Sequence, residues 1–63
     1  MQRIPLEQQI AEVAREIALR GVVYPRLISV GTLARQNAAE QLARMRAALR
    51  TLRRLRRKPR SRP

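Results

Sequence analysis

Cysteine, histidine, aspartate, tryptophan and phenylalanine are all absent from this chain of 63 residues. Without cysteine no disulfide can tie it, and without cysteine or histidine the usual zinc geometries cannot be built. Nucleophilic catalysis would have to work from Ser29, Thr32, Thr51 or Ser61 with no histidine base, and no glycine-rich phosphate loop is present. The residues therefore argue against an enzyme, and no catalytic residue, cofactor or metal is expected. Tyr24 is the single aromatic residue, whereas platforms that stack unpaired bases need several. No stretch approaches the roughly 18 apolar residues of a membrane span. The start of the chain lacks the basic region and apolar run of a secretory signal. A cytoplasmic protein without a membrane partner is the expectation.

Length sets the next bound. A chain this short buries little surface and is marginally stable unless it associates. With no staple available, a homo-oligomer, in the first instance a dimer, is expected.

What the chain has in excess is arginine. The net charge of +11 is unevenly divided: residues 1–40 carry five Arg and four Glu, and residues 41–63 carry nine Arg and one Lys with no acid. Such asymmetry points to an anionic partner for the second half, nucleic acid first, then an acidic protein or an anionic lipid surface. Fourteen Arg against one Lys is also what a GC-rich coding sequence produces.

The apolar pattern is helical. Pro5 suits the start of a helix over about 5–20, with Leu6, Ile10, Val13, Ala14 and Ile17 on one stripe. Gly21 reads as its stop. Leu19 falls on the polar side, as an exposed residue or part of a second contact. Residues 21–31 read as a turn. Val22 to Tyr24 are extended ahead of Pro25, and a short helical turn from Pro25 through Val30 is closed by Gly31. Thr32 is placed to cap a last helix over about 32–57. There Ala38, Leu42, Met45, Leu49 and Leu52 step by 4, 3, 4 and 3, a short heptad seam suited to packing on the first helix or on a second chain. The seam drifts at Leu55, and Arg56 takes the next slot. Residues 58–63, KPRSRP, cannot pack and read as a basic, disordered tail. The expected fold is all-α: a small hairpin of two main helices with a short helical turn between them, forming one domain over residues 1–57. Its expected core is Leu6, Ile10, Val13, Ile17, Tyr24, Leu27, Ile28, Leu42, Met45, Leu49 and Leu52.

On the last helix Arg46, Arg50, Arg53 and Arg57 step by 4, 3 and 4, so they share one side, beside the seam rather than opposite it. Arg54 widens that side and Arg35 extends it upstream. With Lys58, Arg60 and Arg62 of the tail they are the candidate nucleic-acid-binding residues, reading phosphate rather than base, on DNA before RNA. Three other readings stand beside this one: a solvated charged face, a surface for an acidic protein, and a basic amphipathic helix on anionic membrane. The last wants Trp or Phe on its apolar side. Sequence-specific reading would need a helix-turn-helix built from residues 25–30, Gly31 and the following helix. Arg35, Gln36 and Asn37 would then be its base readers.

The segment REIALRGVVYPRLISVGTL, followed by Ala38, Leu42 and Met45 at regular spacing, resembles small uncharacterised helical proteins of phages and prophages of Gram-negative bacteria. The matching positions are Arg15, Glu16, Val23, Tyr24, Pro25, Arg26, Gly31, Leu33 and Met45. The likeness covers roughly residues 10–50. It departs at Leu27, where such proteins often carry Trp, and does not extend to the Arg-rich end. The resemblance implies a phage or prophage context and carries no assigned activity. Because phages use such proteins to bind and disable host proteins, it also implies a protein partner as the alternative function. A structural or assembly component is the third.

Overall fold

The computed structural model describes residues 3–57; the expected tail lies outside them. Among the described residues there are two α-helices and no strand: α1, Leu6–Ser29, and α2, Arg35–Arg57. They run antiparallel as a hairpin. Near the loop, Tyr24 of α1 donates a hydrogen bond to Gln41 of α2 at 2.8 Å. At the open end, Arg56 of α2 meets Glu7 of α1 at 3.2 Å.

α1 starts where expected, on a Pro5 that stands just outside it with φ −59° and ψ 148°. The Pro5 carbonyl accepts from the backbone N–H groups of Gln8 and Gln9, both at 3.1 Å, so two of the otherwise unpaired donors of the first turn are satisfied. Glu7 sits in that turn, where the helix dipole favours an anion.

The expected end of α1 is corrected. The helix runs 24 residues, through Gly21 and with Pro25 inside it, so residues 21–24 are helical rather than extended and residues 25–29 are its last turns rather than a separate piece. The physical reason is burial. Pro25 forfeits one helical bond, the one to the Gly21 carbonyl, and Gly21 is exposed, so water can serve that carbonyl. In return the continuous helix extends the stripe: Leu6, Ile10, Val13, Ile17, Tyr24 and Leu27 are all buried or half-buried. Tyr24 is 8 % exposed.

The true stop is Gly31, at φ +84°. The N–H of Gly31 donates to the Ile28 carbonyl at 3.1 Å and that of Thr32 to the Leu27 carbonyl at 3.0 Å, the paired closing bonds of a left-handed glycine cap. Thr32 is also corrected: its hydroxyl donates back to the Leu27 carbonyl at 3.2 Å, closing α1, and α2 begins only at Arg35.

The two glycines should respond oppositely to alanine. At Gly21 an added Cβ meets nothing within 4 Å and the helix gains propensity, so Gly21→Ala should stabilise by about 0.5–1 kcal/mol. At Gly31 there is equal space, but φ is positive, so Gly31→Ala should cost about 1–2 kcal/mol. Chemical denaturation of both variants at one protein concentration checks the signs.

The core is thin. Among the described residues Ile10, Tyr24, Ala38 and Leu49 are the buried hydrophobic residues, and no side chain is completely enclosed. Every residue of the α2 seam is buried or half-buried. The expected drift is also there: Leu55 is 53 % exposed, and Arg56 in the next slot spans to Glu7.

Candidate nucleic-acid interface

The cationic side is positioned by the seam. Leu42, Met45, Leu49 and Leu52 are held toward α1, and at about 100° per residue this turns Arg46, Arg50, Arg53 and Arg57 to one flank of α2. All four, and Arg54 beside them, are exposed. Arg46 to Arg57 spans roughly 16 Å at about 1.5 Å per residue.

The arrangement of carboxylates divides the arginines into two groups. Glu12 pairs with Arg15. Glu16 lies 2.6 Å from Arg20 and 3.9 Å from Arg15. Glu40 lies 3.9 Å from Arg44, and Glu7 lies 3.2 Å from Arg56. All four acids of the chain are thereby committed. Among the described residues none stands within 4.0 Å of Arg46, Arg50, Arg53, Arg54 or Arg57. Sequence spacing had singled out these five, and the ion pairs separate them from Arg44 and Arg56. Lys58, Arg60 and Arg62, the tail members of the expected site, lie outside the described residues.

Arg20 belongs to the scaffold. It sits half-buried in the α1 seam, donates from Nε to the Tyr24 hydroxyl at 3.2 Å and from Nη1 to Glu16 at 2.6 Å. Its pKa is raised further, first by the Tyr24 hydrogen bond and then by Glu16, so it stays charged. The relay Glu16–Arg20–Tyr24–Gln41 crosses from α1 to α2 and fixes their register near the loop.

The layout needed for helix-turn-helix reading is absent. Residues 25–29 belong to α1, so no separate short helix precedes α2. Arg35, Gln36 and Asn37 are exposed in the first turn of α2, at the end away from the arginine flank. An open groove at the other end is lined by Ile4, Gln8, Gln9, Glu12, Val13 and Leu52 and gathers no set of groups for chemistry. Among the described residues no helix is long and apolar enough to cross a membrane. Comparison with known families, curated proteins and solved structures finds no match to this chain.

A flank of unpaired like charges repels itself and weakens the free fold. Salt screens that repulsion, with a Debye length of about 30 Å at 0.01 M falling to about 8 Å at physiological strength. The exposed ion pairs that salt also weakens are worth only about 0–1 kcal/mol each. The melting temperature of the free protein should therefore rise between those two ionic strengths, measured by circular dichroism at fixed protein concentration.

Proposed function

We propose that the protein binds nucleic acid through the phosphate backbone, without sequence preference, using Arg46, Arg50, Arg53, Arg54 and Arg57. The observation that carries this reading is the set of five exposed guanidinium groups on one flank, with all four glutamates of the chain engaged by other arginines. Counterion release then drives binding: duplex DNA carries one charge per about 1.7 Å of axis, so a 16 Å flank meets several phosphates. Lys58, Arg60 and Arg62 add charge beyond it in sequence. DNA ranks ahead of RNA because the roughly 12 Å wide major groove of B-DNA admits a helix, whereas that of A-form RNA is too narrow.

The test is a salt titration of binding to random duplex. Five contacts give a slope of log K against log salt of about −4.5, with unrelated duplexes bound alike. Absence of binding at about 0.1 M salt, a condition under which several phosphate contacts still hold, sinks the reading and moves a protein partner to first place.

A further inference from the structure

α1 carries a second apolar stripe that the hairpin does not cover. Leu19, Val22 and Val23, with Val30 at the helix cap, are 46 %, 65 %, 44 % and 71 % exposed. At about 100° per residue they lie on the side of α1 turned away from its seam. Their joint exposed area is roughly 400 Å², the size at which a contiguous apolar patch marks an interaction surface.

We propose that this outer face of α1 seats a second copy of the chain, the two α1 helices packing antiparallel across Leu19, Val22, Val23 and Val30.

Three observations favour a copy of the chain as the occupant. The first is charge. The chain is +11 overall, yet the stripe and its flanks are neutral by count, with Glu12 and Glu16 against Arg15 and Arg26. Among the described residues Arg26 has no carboxylate within 4.0 Å. A two-fold axis at the level of Gly21 brings Arg26 of each chain level with Glu16 of the other, and Leu19 level with Val23. The second is placement. The patch lies toward the loop, and the arginine flank toward the open end where Arg56 meets Glu7. Antiparallel packing sends the two open ends in opposite directions, farther apart than the Debye length of about 8 Å at physiological salt. The third is area. The stripe's roughly 400 Å² forms an apolar centre, and Glu12, Arg15, Glu16 and Arg26 around it supply the polar rim that a protein interface adds to such a centre. The thin core described above leaves the hairpin in need of that burial.

The test uses the full chain and no nucleic acid, so it fails or succeeds separately from the binding reading. Sedimentation at micromolar concentration is expected to give the mass of two chains, with a melting temperature that rises with concentration. Val22→Lys combined with Val23→Lys, both beside the axis, sets like charges across the two-fold and should return the mass of one chain. Lysine is the better helix former, so circular dichroism should keep its helical signal. The absence of native cysteine allows a second arm that leaves the surface apolar. Val22→Cys beside the axis should link to its copy on oxidation, and Thr51→Cys on the exposed side of α2 should not. A one-chain mass for the wild type, a two-chain mass unmoved by the paired lysines, or equal linking of the two cysteine variants overturns the proposal.

Discussion

Leu49→Ala is expected to leave the chain largely unfolded. Leu49 is 9 % exposed and, among the described residues, one of four buried hydrophobic residues, and it belongs to the seam that packs on α1. Truncating a buried leucine costs about 2–5 kcal/mol, the transfer term plus the cavity left behind. A single core in a chain this small supplies no more than about 3–5 kcal/mol, so one substitution removes most of it. Leu55→Ala is the control. Leu55 is 53 % exposed on the same helix, and its loss should stay within about 0.5 kcal/mol. Far-ultraviolet circular dichroism and melting of both variants, at one concentration because association shifts apparent stability, decide the matter. A Leu49 variant that melts like the wild type would show that the seam is not the core.

The helical hairpin was legible because its signal is periodic. Steps of 4 and 3 from Ala38 to Leu52 leave little choice about which side of α2 meets α1, and that in turn places the arginine flank. The length of α1 was not legible, for three local reasons that act together. Gly21 and Pro25 are the residues that most often end helices. Between them and Ile17, the seam slot that would show the repeat continuing is filled by Arg20. Only the structure shows this arginine satisfied within the seam, by Glu16 on one side and Tyr24 on the other. α2 repeats the device at Arg56, which takes a seam slot and finds Glu7. An arginine in a heptad slot with a glutamate of α1 in reach therefore continues the seam rather than ending it. Thr32 was misplaced for a related reason. A threonine after a glycine can close the helix behind it or open the one ahead, and the hydrogen bond to Leu27 selects the first. Which arginines stand unpaired was equally beyond the sequence, since Glu7 and Arg56 are far apart along the chain and meet only through the hairpin.

That distinction between paired and unpaired arginines yields the second large effect. Replacing Arg46, Arg50, Arg53 and Arg57 together by alanine should nearly abolish duplex binding while leaving the fold intact. Each phosphate contact contributes about 0.9 to the slope of log K against log salt, so four lost contacts lower its magnitude by about 3.6. At about 0.1 M salt the same contacts correspond to roughly a thousandfold in affinity. Unfolding is not the expected cause. The four side chains are exposed, alanine is the best helix former, and removing like charges relieves repulsion along the flank. Arg15→Ala, on α1 and paired with Glu12, should leave the slope unchanged. Arg44→Ala is the sharper comparison. It removes the same charge from the same helix, but from a residue already beside Glu40 and off the flank, so its slope change should fall well short of the one unit expected for Arg50→Ala. If the losses instead track net charge alone, with Arg44 and Arg50 equivalent, binding is a diffuse attraction to a +11 chain and the flank has no special part in it. If they track position, the geometry of the α2 seam is what makes the arginines a binding surface.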